Sequence, residues 1–106
     1  MNEVMARLRQ FRDDRDWKQF HNPKDLALAL SIESAELLEV FLWKSADQAD
    51  PAKVKEELAD VFSFALLLAD AYDFDVQSII LEKIDRNEKK YPVSKARGTA
   101  KKYTEL

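Results

Sequence analysis

One glycine and three prolines punctuate 106 residues, and so sparse a supply of turn residues removes most folds from consideration. An all-β chain needs a turn every few residues, and long stretches here offer none. The prolines stand where helices begin or end rather than inside them. Asn22-Pro23 and Asp50-Pro51 each pair a capping side chain with proline at the first helical position, and Pro92 stops a later segment. Apolar residues at helical spacing fill the intervals. The sequence therefore predicts an all-α fold, a four-helix bundle with helices over about Glu3–Arg15, Asn22–Trp43, Pro51–Tyr72 and Val76–Tyr91. The segments Trp17–Asn22, Lys44–Asp50 and Asp73–Asp75 are breaks. Residues 1–92 form the helical domain. Residues 93–106, which hold the only glycine and the basic residues Lys95, Arg97, Lys101 and Lys102, lack apolar periodicity and read as an extended or partly ordered arm of it.

Composition excludes several functions. With 46% apolar and 35% charged residues the chain is a soluble globular protein. No cysteine means no disulfide, no thiolate metal site and no cysteine nucleophile, and a single histidine excludes a multi-histidine zinc site. A net charge of −3 gives no footprint for a nucleic-acid polymer. No apolar stretch spans a bilayer, and the first ten residues, MNEVMARLRQ, do not resemble a signal peptide. The expectation is a cytoplasmic protein with no membrane partner.

Four carboxylates break the amphipathic pattern. At about 100° per residue, Leu26, Ala29, Leu30, Leu37 and Val40 all fall within about 60° of Glu33. Glu33 thus sits in the middle of an apolar stripe, with Glu36 one turn on. On the next helix Val54, Val61, Phe64, Leu68 and Ala71 surround Glu57 in the same way, with Asp60 one turn on. Helices joined by a short loop pack antiparallel with their stripes facing, which aims Glu33, Glu36, Glu57 and Asp60 at one another. Carboxylates so gathered repel and lose hydration; protons or cations must offset this. Oxygen-only ligands favour Mg²⁺, with Mn²⁺ as a second choice. Either pair alone would be ordinary helix-surface charge; two pairs on facing stripes point to a metal site. Glu39, Asp47 and Glu56 fall on outward or loop positions. A ferritin-like di-iron site needs Glu-x-x-His pairs, and His21 has no glutamate three residues before it.

Mg²⁺ on a few carboxylates leaves positions for water and phosphate oxygens, so phosphoryl or nucleotidyl transfer is the matching chemistry. No glycine-rich phosphate loop is present. On the last helix Lys83, Asn87, Lys90 and Tyr91 share one face and could serve a triphosphate and its sugar. A solvated basic last turn explains Lys89 and Lys90 equally well; Asn87 is a mediocre helix former in a helix interior. Trp17, Phe20, His21 and Trp43 offer faces on which a base could stack, although Trp17 and Phe20 could as well close the end of the core.

These residues resemble the all-α nucleoside triphosphate pyrophosphohydrolases of the MazG-like superfamily. The likeness is carried by Glu33-Ser34-Ala35-Glu36, by Glu57-Leu58-Ala59-Asp60, by RDWKQFHNPKDLALAL from Arg15 to Leu30, and by KIDRNEKKYP from Lys83 to Pro92, and it continues into GTAKKYT. Within the superfamily the chain is most similar to the small dCTP pyrophosphatase type. The resemblance implies Mg²⁺-dependent hydrolysis between the α- and β-phosphates, yielding a nucleoside monophosphate and pyrophosphate, as in nucleotide-pool housecleaning. It implies that Glu33, Glu36, Glu57 and Asp60 hold the metal and carry catalysis. Lys83, Asn87 and Tyr91 would contact phosphate and sugar, and Trp17, His21 and Trp43 would line a base pocket. It also implies a homo-oligomer, dimeric or tetrameric. Ser31 and Ser34 stand where relatives often carry glycine, and Phe64 where some have tyrosine. The competing expectation, from another class, is a non-catalytic helical module whose stripes bind a partner helix.

Overall fold

The capping residues act as the sequence predicts. Asn22 accepts a hydrogen bond from the Asp25 N–H at 2.9 Å and Asp50 one from the Ala52 N–H at 3.0 Å, each followed by proline in the first helical turn. Asp75 caps a further helix by accepting from the Ser78 N–H. The computed structural model describes residues Met1–Leu106. It is all-α, with α1 (Asn2–Asp14), α2 (Pro23–Glu39), α3 (Pro51–Ala71), α4 (Val76–Lys90) and a short α5 (Val93–Ala96). Single 3-10 turns cover Lys18–Phe20, Ala46–Gln48 and Tyr103–Glu105, and there is no strand.

A chain with one glycine must end its helices by other means. Asp16 (φ 53°) and Asp73 (φ 56°) take the left-handed conformation just beyond α1 and α3. In each case the next N–H reaches back into the last turn, Trp17 to the Arg12 carbonyl and Phe74 to the Ala69 carbonyl, both at 3.0 Å. Aspartate tolerates that conformation better than most residues, so it serves where glycine is usual.

The expected end of the second helix at Trp43 is corrected: α2 stops at Glu39. Val40, Phe41 and Leu42 donate instead to the carbonyls three residues back, Leu37, Leu38 and Glu39. This tightening frays the last turn, and Trp43 then takes φ 60°.

Two compact units make up the chain, Met1–Phe74 and Asp75–Leu106. In the first, α3 packs along α2, and α1 packs on α3. Leu26 of α2 and Leu66, Leu67 and Ala69 of α3 form the buried core; each such leucine contributes about 1.5–3 kcal/mol. Arg12 is the one buried charged residue. Its Nε donates to Asp13 at 2.8 Å and its Nη1 lies 3.6 Å from Asp70, which also accepts from Arg9 Nε at 3.0 Å. In the second unit α4 buries none of its residues, and Ile80, Leu81 and Ile84 are exposed. The arm holds α5, a left-handed step at Gly98 (φ 78°) and the Tyr103 turn.

Candidate active site

The acid cluster is set by helix geometry. Glu33 lies half-buried on α2 beside buried Leu26 and half-buried Ala29, Leu30, Leu37 and Val40, as its stripe predicts. Glu57 lies half-buried on α3 with Val54, Val61, Phe64 and Leu68, while Ala71 at the end of that stripe is exposed. The α2–α3 packing brings one carboxylate oxygen each from Glu33, Glu36 and Glu57 within 4.8 Å of one another. Asp60, the fourth predicted ligand, is exposed and stands outside that group, although its charge reaches both Glu33 and Glu57.

No ion pair within the chain reaches this cluster. Glu33 Oε2 and Glu57 Oε2 are buried without a hydrogen-bond partner, a state that disfavours the charged form. The ion pairs join Arg9 and Arg12 to Asp13 of α1 and to Asp70, at the other end of α3. Burial first, and the adjacent Glu36 carboxylate second, push the Glu33 pKa up to about 7. Burial and then the Glu36 charge raise that of Glu57 as well. Orphaned buried oxygens on an all-carboxylate set are what a hard divalent cation satisfies, so the residues present fit such an ion.

A cavity of about 300 Å³ opens beside the cluster, lined by Glu36, Glu39, Val40, Lys44, Lys53 and Glu57. Lys44 and Lys53 went unnoticed in the sequence because each reads as an ordinary surface lysine. Their one signal is spacing: Lys53 precedes Glu57 by one helical turn, and Lys44 follows the aromatic Trp43. Glu39 is exposed, as its outward position predicts, yet it lines the cavity wall.

The aromatic candidates occupy different settings. His21 is half-buried, 6.3 Å from the ring of Phe64 and nearly perpendicular to it, which places it one turn along α3 from Asp60. Its Nδ1 is buried and unpartnered, and burial and then Arg12 hold its pKa below the usual histidine value. Trp17 caps the Lys18–Phe20 turn and meets Phe11 edge-on at 5.7 Å. Trp43 is 93% exposed. A bulky residue at positive φ is an outlier that a fold tolerates only against strain, and here it holds an indole out in solvent.

Lys83, Asn87 and Tyr91 belong to the second unit. Asn87 is half-buried on α4 while Lys83 is exposed. Tyr91 lies just past the helix, its N–H donating to the Asn87 carbonyl at 2.8 Å.

Comparison with known proteins places the chain in a family. The profile described as the MazG-like family matches residues 28–106. The chain is similar to dCTP pyrophosphatase 1 of Mus musculus (41% identity over 105 residues) and of Homo sapiens (40% over 105), alignments that cover 92% of this chain and 62% of each relative. It therefore spans less than two thirds of the length of those relatives. The crystal structure of a pyrophosphatase from Archaeoglobus fulgidus shares the fold with a TM-score of 0.81 and 41% identity, covering 87% of this chain and 92% of that one.

Proposed function

Since the chain belongs to the MazG-like family, we propose that it is a nucleotide pyrophosphohydrolase. It hydrolyses the α–β phosphoanhydride of a (deoxy)nucleoside triphosphate, dCTP-like substrates favoured, with Mg²⁺ or Mn²⁺ as the cation. Water adds at the α-phosphorus, the bond to the β-phosphate bridging oxygen breaks, and a nucleoside monophosphate and pyrophosphate leave. The single observation that carries this reading is the pair of buried, partnerless oxygens on Glu33 and Glu57 within a three-carboxylate cluster.

Glu33, Glu36, Glu57 and Asp60 would hold the divalent cation, which when bound would screen phosphate charge and acidify a water. One of the same carboxylates takes the proton that the attacking water gives up. Lys44 and Lys53, on the wall of the adjoining cavity, supply cationic contacts for the departing pyrophosphate. Lys83, Asn87 and Tyr91 serve the phosphates and sugar. His21, Trp17 and Trp43 receive the base, and the exposed indole of Trp43 is suited to stacking. The name of the mammalian relatives supports a dCTP-like substrate.

A homo-oligomer, dimer or tetramer, is part of the same proposal. Ile32, Leu38 and Phe62 are each about 60% exposed or more, and an apolar groove of about 560 Å³ runs over Phe41, Val54, Leu58 and Phe62. Exposed apolar surface of this kind supports a contact between copies of the chain. Light scattering should return a multiple of the chain mass.

The test is a panel of nucleoside triphosphates assayed for pyrophosphate release with and without Mg²⁺. Cation-dependent turnover, greatest with dCTP and abolished by Glu57→Gln or Asp60→Asn with the helical spectrum intact, is expected. No release from any triphosphate would refute the enzyme and leave the helical interaction module in its place.

A further inference from the structure

We propose that Tyr103, in the C-terminal arm, is a positioning residue that holds Tyr91 ready for the nucleotide. The inference rests on the reading above, in which Tyr91 touches the substrate. Tyr91 needs outside help to keep one orientation. It lies beyond the last residue of α4 with non-helical torsions (φ −122°, ψ 69°), and the residue after it is Pro92, which has no N–H with which to continue the helical ladder.

The Tyr103 ring supplies the constraint. It meets the Tyr91 ring edge-on, with centroids 6.1 Å apart and planes at 81°, a geometry that aromatic quadrupoles favour. The same ring lies 5.0 Å from the Lys90 ammonium, within the range of a cation–π contact. One arm residue thus engages two successive residues at the end of α4 through two kinds of contact. Backbone order backs it: Tyr103 opens a 3-10 turn in which the Glu105 N–H donates to the Lys102 carbonyl at 2.9 Å. Upstream, Gly98 at φ 78° allows the left-handed step between α5 and this turn. Tyr103 is itself half-exposed, so burying apolar surface does not account for a tyrosine there.

A group that only orients a substrate contact affects ground-state and transition-state binding alike, and its loss appears in KM rather than kcat. The experiment measures both constants on dCTP with Mg²⁺ for Tyr103→Ala, Tyr103→Phe, Tyr91→Ala and the double alanine variant. Tyr103→Ala should raise KM by up to roughly tenfold with kcat little changed. Tyr103→Phe, which keeps the ring, should retain the wild-type KM. The double variant should be no worse than Tyr91→Ala alone, because Tyr103 acts through Tyr91. Tyr103→Leu, which keeps bulk without aromaticity, should show the same KM rise with an unaltered thermal melt, separating positioning from folding.

An unchanged KM in Tyr103→Ala, a phenylalanine variant as impaired as the alanine one, or additive effects in the double variant would overturn the assignment while leaving the enzyme in place. A wild-type chain inert toward every triphosphate would remove both the activity and the assignment.

Discussion

Replacing Glu33 by glutamine should stabilise the cation-free protein at alkaline pH and do nothing at acid pH. The Glu33 pKa is lifted from an ordinary 4.5 to about 7 because burial, and then the neighbouring Glu36 carboxylate, oppose its ionisation. An acid whose folded-state pKa is raised contributes stability that is complete below the unfolded value and disappears as pH rises through the folded one. The window therefore runs from pH 4.5 to about 7. Each pKa unit is worth about 1.4 kcal/mol, which for a fully enclosed group would give roughly 3 kcal/mol. Glu33 is half-buried, and water that reaches it screens part of this, leaving on the order of 1–2 kcal/mol. In a domain of this size that is roughly 5–10 °C in Tm.

The assay is a set of circular-dichroism melts at pH 4 and pH 8 in the presence of a chelator. His21 works in the opposite sense: its pKa is lowered by burial and by Arg12, so the stability it confers is lost as pH falls from its ordinary value. It is present in both proteins, and the difference between them isolates Glu33. Wild type and Glu33→Gln should melt together at pH 4 and separate at pH 8, with the glutamine variant higher. Glu57 shifts in the same direction as Glu33, so the variant keeps a weaker slope of its own. Millimolar Mg²⁺ at pH 8 should then raise the wild-type Tm more than that of the variant, since a ligand of the native state stabilises by mass action. Parallel melting at both pH values, or a cation that moves neither protein, would refute the account of a strained acid cluster awaiting a cation.

Two further substitutions probe other parts of the chain. Asp70→Asn leaves the buried Arg12 guanidinium short of a counter-charge and should cost on the order of 2–3 kcal/mol at neutral pH, read as a lower urea midpoint. Arg9, foremost, holds the Asp70 pKa below the usual carboxylate range, so this loss should shrink only once pH falls beneath that range; equal midpoints for the two proteins would contradict it. Trp43→Ala removes an indole that touches almost nothing and should change stability by no more than about 0.5 kcal/mol. Its KM for a triphosphate should rise by about tenfold, the worth of one base–aromatic stack, and an unaltered KM would take Trp43 out of the base pocket.

Much of this architecture was legible in the sequence because its signals are local. An asparagine or aspartate before proline starts a helix wherever it stands, and Asn22-Pro23 and Asp50-Pro51 both do so. The end of α2 was not legible. No glycine or proline marks it, and Val40, Phe41 and Leu42 keep donating backward, only to carbonyls one residue nearer. Asp16 and Asp73 end their helices in a conformation that nothing distinguishes in sequence from that of any other aspartate. Arg12 escaped notice for a longer-range reason: Asp70, its partner across the α1–α3 packing, lies far along the chain, and an isolated helix would leave such an arginine in water.

The candidate site shows the same division more sharply. Glu33 and Glu57 could be found because they offend against the pattern around them: a carboxylate centred on an apolar stripe is a local inconsistency, and a fold tolerates such a residue chiefly where it serves function. Asp60 shows where the argument thins. Helical spacing gives its direction around α3 but not how far its short side chain reaches, and its oxygens stay outside the group formed by the three glutamates. Lys44 and Lys53 fall at the other extreme. Both obey every surface rule, so neither draws attention until the packing of α2 on α3 sets them on the wall of one cavity with Glu36 and Glu57. A site residue that breaks the amphipathic pattern is visible in one dimension. One that conforms to it becomes visible only when the fold supplies its neighbours, which is why the clustered glutamates are legible from spacing and the lysines beside them are not.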